Sequence, residues 1–222
     1  MGGARAASGA DATALAATMA RAFLDDPFVS WLVPGYDTRI GKLPSLFALL
    51  FRLARPYGAC DVTGNVESAA VWRPPDTWHI PLWQYVTNGP QLLGIFGTNA
   101  QRALSAMDTL ERRHPRAPHW YLQAIGTDPV FQGKGYGGVL LRHRLAMIDA
   151  SGEAAYLEAS KEANVPLYAS FGFAVTGEIV IAGGPTLYPM WRAPQSVFLP
   201  QHGEVARSAG GGLRVECLHH LE

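Results

Sequence analysis

The sequence predicts an α/β domain of the α+β kind, in which helices are interspersed with strands and antiparallel hairpins. Three observations predict it. The first quarter is helical, a strand near the middle runs through a glycine-rich loop into a helix, and the patterned chain closes on two strands joined at Gly183-Gly184-Pro185. At 222 residues with 48% hydrophobic side chains, the chain can bury one complete core. Lys+Arg 18 against Asp+Glu 18 leaves no net charge. Without a long-range field, nucleic acid and anionic membranes are not expected partners, and a small or nearly neutral one is. Only Cys60 and Cys217 occur, so neither a disulfide framework nor a zinc knuckle is supported and a cytoplasmic protein is expected. The apolar run from Leu43 to Leu53 holds Ser45 and Arg52 and falls short of the ~20 residues a spanning helix needs. The N-terminus has no apolar segment after a basic start, so no export signal is read.

Residues 3–9 suit an edge strand, and Asp11 stands at the N-cap of a helix that runs to Asp25 with Leu15, Met19, Ala22 and Phe23 on one face. Pro27 is read as its end. After the loop 25–38 a second helix is expected over about 38–54, burying Leu46, Leu49, Leu50 and Leu53. Residues 59–74 read as an antiparallel hairpin turning at Thr63-Gly64-Asn65. From 80 to 114 the pattern is helical again, broken around Gly94 to Gly97, and Glu111-Arg112-Arg113 is a solvated last turn. Residues 119–127 are the strongest strand, followed by the glycine loop and a helix with Leu141, Leu145 and Ile148 on one face. A strand at 154–160, a helix at about 163–170 and two strands near 172–182 and 186–193 complete a domain over 1–194. Residues 195–222 lack periodicity and read as a flexible tail whose last two residues suit a cloning remnant.

Gly133, Gly135, Gly137 and Gly138, placed after a strand and opening a helix, form a phosphate cradle by their physics. Backbone N–H groups approach an anion with no Cβ in the way, and the helix terminus adds about half a positive charge. The bland alternative is a tight turn that starts a helix. An NTPase loop fails, since Asp128 stands five positions before Gly133 and Gly135 follows Lys134. A dinucleotide site is more tempting: Gly133, Gly135 and Gly138 match GxGxxG, and Glu158 lies twenty residues beyond. Too little patterned chain follows Glu158 to build the rest of a parallel sheet.

Coenzyme A is the third ligand class, and here the residues carry a family resemblance. Gln132-Gly133-Lys134-Gly135-Tyr136-Gly137 resembles the Gln/Arg-x-x-Gly-x-Gly/Ala signature of the GCN5-related N-acetyltransferases (GNAT), in register with the flanking strand and helix. Residues 156–178, with Asn164, Tyr168 and Gly172-Phe173, resemble that family's second strand and helix. More narrowly, ARAFLDDP (20–27), HWYLQAIGTDP, LEAS and GPTLYPMWR resemble the puromycin N-acetyltransferases and their actinobacterial relatives. The likeness covers about 4–194. It implies a mixed, mostly antiparallel central sheet of about seven strands with a splay between strands 4 and 5 and helices on both faces, acetyl-CoA as co-substrate, no metal, and a small-molecule amine as acceptor. It also implies direct transfer in a ternary complex by a monomer or homodimer.

The resemblance puts the pantetheine arm beside the backbone of Ile125, Gly126 and Thr127, and the pyrophosphate on the N–H groups of Gly133 to Gly138. Gln132 and Asn164 belong to the same coenzyme site, while Lys134 and Tyr136 serve it through their backbone. An N–H at Ile125 or its neighbour is the natural oxyanion donor. Tyr168 stands at the position of the family's thiolate-protonating tyrosine. A phenol with pKa ~10 facing a thiol with pKa ~8.5 makes full transfer uphill by about 2 kcal/mol unless the site lowers the phenol, so hydrogen-bond donation is the safer reading. Without the resemblance Tyr168 reads as a core residue. Glu158 is the candidate base, weighed evenly against a structural acid. Asp25 and Asp26 could orient a cationic acceptor or be solvated loop acids. Phe28, Trp31 and Tyr36 form either an acceptor wall or ordinary packing, with packing slightly favoured.

His79, His114, His119 and His143 show no metal spacing, and two prolines separate His114 from His119. Ser151-Gly152 is a helix C-cap, and neither a GxSxG elbow nor a Cys-His pairing suggests a covalent acyl-enzyme. Two further readings stand beside the amine acetyltransferase: a non-catalytic acyl-CoA sensor, and an acetyltransferase of a peptide or protein amine.

Overall fold

A computed structural model describes residues 2–79 and 81–195. All but the first residue of the expected tail lies outside the described residues. In chain order the elements are β1 (Ala4–Ala6), α1 (Ala12–Ala22), α2 (Pro27–Leu32), α3 (Tyr36–Ala54), β2 (Cys60–Thr63) and β3 (Ser68–Arg73). Then come α4 (Leu82–Phe96), α5 (Ala100–Arg113), β4 (Trp120–Thr127), α6 (Tyr136–Ala150) and β5 (Ala155–Ala159). The chain finishes with α7 (Val165–Ala169), β6 (Ala174–Val175), β7 (Ile179–Val180) and β8 (Thr186–Arg192). The sheet order is β1-β2-β3-β4-β5-β8-β6, with β7 also on β8, and β4 with β5 is its parallel pair.

Alternation along the strands divides the core between the two sheet faces. Ala69 and Val71 of β3 pack with Leu15 and Met19 of α1 and with Leu43, Phe47 and Phe51 of α3. Ala70 and Trp72 point the other way, onto Leu140, Leu141, Leu145 and Ile148 of α6. A third cluster joins Leu32 and Val33 to Ile95, Ala103, Ala106 and Leu187. Across the α6 face, Arg144 donates to Asp61 of β2 through Nε (2.8 Å) and Nη2 (2.7 Å), and Nη2 also reaches the Gly58 carbonyl. Both side chains are almost fully buried, a paired charge at the root of the sheet.

Three local expectations are corrected. Pro27 does not simply end α1: it opens α2, because Asp26 before it accepts the Val29 N–H at 3.0 Å and proline suits a first helical turn. In α3 the buried stripe is Leu43, Phe47, Phe51 and Ala54 with Leu49, whereas Leu46, Leu50 and Leu53 are only half-buried. The larger aromatic surface decides the rotation, and Phe47 meets Phe23 with centroids 5.0 Å apart. The strand expected over 172–182 is broken at Thr176–Glu178, where Gly177 has φ +155°, so two short strands, β6 and β7, pair separately with β8.

The sheet opens between β4 and β5. They pair only from Trp120↔Ala155 to Leu122↔Leu157; beyond Leu122, β4 stays with β3 while β5 stays with β8. Helix α1 crosses the open part of β4 so closely that a Cβ on Gly126 would lie 2.7 Å from the Ala22 Cβ and 3.1 Å from the Met19 sulfur. Glycine at 126 is therefore a packing requirement, whatever binds at its backbone.

Candidate active site

The splay forms a cleft of about 390 Å³ whose walls include β4 from Leu122 to Thr127, the end of β5, α7 and the end of α1. At one end lies the glycine loop. Gly133 and Gly135 have φ of +73° and +80°, a conformation that costs glycine little. Gly135 stands at the N-cap of α6 and offers no side chain to cap it, which leaves first-turn N–H groups available as donors. Gln132, Gly133 and Gly137 line the cleft. Lys134 turns back, donating from Nζ to the Val130 carbonyl (3.1 Å), and Tyr136 meets Phe131 edge-on at 5.9 Å. Gly138 abuts Arg142 and Phe171. A bare helix start with positive-φ glycines fits the phosphates of a coenzyme.

Ile125, Gly126 and Thr127 all line the cleft. Two of their carbonyls already have partners, Gly126 accepting from Ser68 Oγ at 2.9 Å and Thr127 from Gln132 Nε2 at 3.1 Å. Asn164 and Tyr168 form the opposite wall. Tyr168 is buried, and burial together with the nearby Asp26 carboxylate pushes its phenol up to about 12. The site thus raises this group instead of lowering it.

Asp26, buried to 4% exposure, enters the cleft while capping α2 and accepting from Ser160 Oγ. Glu158 is on the cleft side of β5 with its side chain 6% exposed, and its Oε1 has no hydrogen-bond partner among the described residues. The buried Oε1 of Gln123 is likewise unpartnered. Behind Glu158, His114 Nδ1 lies 3.6 Å from Oε1. Burial, and then the Glu158 charge, push the Tyr156 and Tyr121 phenols upward.

The structure brings Tyr168, Glu158, Asp26, Asn164, Gln132, Gly133 and Gly137 to one cleft, but not Lys134, Gly135, Tyr136, Gly138 or the three aromatics. Phe28 and Trp31 stack on each other (6.3 Å), the Trp31 indole N–H donates to the Gly183 carbonyl, and Tyr36 is exposed beside Arg39. They pack α2 and α3 rather than wall the cleft. Sequence reasoning missed Gln123, Ser160 and Lys161, which do line it. A polar glutamine amid the apolar strand Leu122–Ile125 was the available signal.

The comparisons agree with this geometry. Residues 95–193 match the family model of the acetyltransferase (GNAT) domain. The uncharacterized N-acetyltransferase C550.08 of Schizosaccharomyces pombe is 28% identical over 175 residues, covering 71% of this chain and 68% of that one. A crystal structure described as histone acetyltransferase HPA2 and related acetyltransferase, from Corynebacterium glutamicum, is 29% identical with a TM-score of 0.69, covering 90% of this chain and 100% of that one. Arylalkylamine N-acetyltransferase 2 from Aedes aegypti shares the fold at 11% identity and a TM-score of 0.61, covering 86% of this chain and 97% of that one. With its splayed parallel pair, its glycine loop at a helix start and these likenesses, the chain carries a GNAT acetyltransferase domain over residues 95–193, and its homologues indicate an acyltransferase.

Proposed function

We propose that the protein transfers an acetyl group from acetyl-CoA to the amine of a small molecule, of the aminoacyl kind that puromycin exemplifies, by direct transfer in a ternary complex. One observation carries the acceptor class. Apart from Lys161, the polar side chains at the Tyr168 end of the cleft offer acceptor oxygens, and Glu158 Oε1 and Gln123 Oε1 have no partner of their own. Buried acceptors without donors favour a ligand that brings N–H groups, as an amine or ammonium does.

Acetyl-CoA supplies an activated acyl carbon and a sulfur leaving group. The uncapped α6 terminus and the Gln132–Gly133 turn hold its phosphates, and the unpaired edge of β4 runs alongside its arm. Asp26 orients the ammonium, and Glu158 Oε1 takes its proton so that a neutral amine attacks. The new N–C bond forms as the C–S bond breaks, and the second N–H proton of the attacking nitrogen passes to the departing sulfur, which leaves as the thiol. Tyr168 then donates a hydrogen bond to the departing sulfur. Full transfer from a phenol near 12 to a thiol near 8.5 is uphill by about 5 kcal/mol, so donation with the proton still on Tyr168 is the step this site supports. No described helix is long and apolar enough to cross a membrane, and a cytoplasmic enzyme fits the small diffusible substrates.

The test is acetyl-CoA-dependent thiol release with puromycin and a panel of small amines, polyamines and aminoglycosides, each acceptor then weighed by mass spectrometry. One added acetyl on one amine supports the reading and names the acceptor. Silence across the panel with intact coenzyme binding overturns the small-amine reading and turns the search to a peptide or protein amine, as the histone acetyltransferase named among the relatives would suggest.

A further inference from the structure

Behind Glu158 lies a cluster of titratable groups that the reaction above does not use. His114 ends α5, His119 precedes β4, and the turn between them folds both rings beneath β5, with Nε2 facing Nε2 at 3.0 Å. His119 is 1% exposed and His114 8%. Trp78 stacks on His114 at 3.9 Å, Tyr121 and Tyr156 meet it edge-on, and Tyr156 and Trp191 flank His119.

The protons in this cluster can be placed by elimination. His119 Nδ1 is 2.6 Å from the Ala117 carbonyl, which can only accept, so Nδ1 carries a proton. In neutral His119, Nε2 is then bare and accepts from His114 Nε2–H. Neutral His114 is therefore left with a bare Nδ1, and that atom faces the unpartnered Oε1 of Glu158 at 3.6 Å. Two lone pairs face each other across a dry gap. One added proton satisfies the chain wherever it enters: on Glu158, on His114 Nδ1, or, after a shift along the 3.0 Å bond, on His119.

We propose that His114 and His119 form a buried proton reservoir for Glu158, an inference that rests on Glu158 acting as the base. The ammonium N–H breaks as an O–H forms at Glu158 Oε1. That O–H breaks as His114 Nδ1–H forms, and His114 Nε2–H passes to His119 Nε2. Glu158 is again a carboxylate, and the proton returns along the same path when the products leave. The 3.6 Å contact must shorten for the transfer, as catalytic contacts in substrate-free sites commonly do. Burial lowers His119, which favours its neutral form until Glu158 delivers a proton. Glu158 and Asp76 act oppositely on His119, raising it; beyond Trp78 His79 Nδ1 lies 2.8 Å from Glu111 Oε1, and Tyr121 and Tyr156 stay neutral. His114 and His119 are positioning residues: they touch neither substrate and act through Glu158.

The test has two arms. Nitrogen-15 NMR of the substrate-free protein reads the tautomers and their titration. The expected result is His119 protonated at Nδ1, one coupled protonation step shared by the two rings, and a shift of that step to lower pH by about one unit or more in Glu158→Gln. Two independent histidine titrations that ignore Glu158→Gln would overturn the proposal. The kinetic arm uses His119→Asn, whose amide keeps the bond to Ala117 but lacks the Nε2 acceptor. At pH 7 its kcat should fall by at least tenfold with both KM values unchanged and the acid limb of the pH profile displaced. Wild-type kcat and profile in a folded His119→Asn protein would equally overturn it. If no amine is acetylated, the small-amine reading fails while the NMR arm still decides the reservoir.

Discussion

Replacing Tyr168 by Phe removes one oxygen from the cleft and little else. Its hydroxyl has no protein partner among the described hydrogen bonds, and the ring keeps its edge contact with Phe173 at 6.3 Å, so stability should change by less than about 1 kcal/mol. What is lost is a hydrogen bond to a sulfur that gains charge as the C–S bond breaks. Hydrogen bonds to charged groups contribute about 1.5–3 kcal/mol, so kcat should fall roughly 10- to 150-fold while coenzyme affinity holds. The phenol's position near 12 sets an upper bound too, because a site that relied on full proton transfer would need a better acid. The assay is steady-state thiol release with calorimetric coenzyme binding on the same samples. An unchanged kcat would remove Tyr168 from the chemistry. A loss beyond about ten-thousandfold would refute donation without transfer and make the tyrosine an obligatory acid.

Four further outcomes follow from the geometry. Gly126→Ala drives a methyl into Ala22 and Met19 and should cost about 1–3 kcal/mol, seen as a Tm lower by roughly 3 to 8 °C; an unchanged Tm would mean that α1 sits farther from β4. Asp26→Asn keeps the α2 cap and removes a charge that raises Tyr168, so the Tyr168 phenol, followed by ultraviolet difference against Tyr168→Phe, should titrate at lower pH than in the wild type. Arg144→Met strands Asp61 in the core and should cost about 3–5 kcal/mol in urea unfolding, with much of it recovered by adding Asp61→Leu; no recovery would count against a buried charge as the cause. Arg5 and the Ser8 N–H hold the Asp11 carboxyl well below its ordinary range, so its stabilisation is complete above about pH 4 and fades as pH falls through the lowered value. Asp11→Asn should therefore cost about 1 kcal/mol at pH 7 and clearly less near pH 2, and an equal cost at both would contradict the assignment.

Where one residue type has one local use, the sequence was readable. Glycines at positive φ between a strand and a helix mark the loop at Gly133 and Gly135 because other residues are strained there. The turn at Thr63-Gly64-Asn65 placed β3, and residues 119–127 stood out as the strand that becomes β4. The reading slipped where one signal serves two ends. Asp26-Pro27 closes a helix and equally well opens one, and only the Val29 N–H on the Asp26 carboxylate decides between them. In α3 both faces carry apolar residues, so periodicity identified the helix but not its rotation, which Phe47 and Phe51 fix through contacts far along the chain.

The site was legible in proportion to how local its chemistry is. Glu158 stands out because a carboxylate in an apolar strand is costly unless something uses it. Trp31 was weighed as acceptor wall or packing, and nothing near it in sequence reveals that its indole N–H serves the Gly183 carbonyl 152 positions away. His114 and His119 were set aside as ligands because their spacing suits no metal, yet the feature that argued against a ligand pair, the prolines between them, belongs to the turn that sets their rings face to face. Spacing rules describe residues that act on a ligand from one element. A proton path is assembled instead from the end of a helix, the start of one strand and the middle of another. Its only trace in the sequence is the kind of residue, and its meaning comes from an Ala117 carbonyl that fixes which nitrogen is bare.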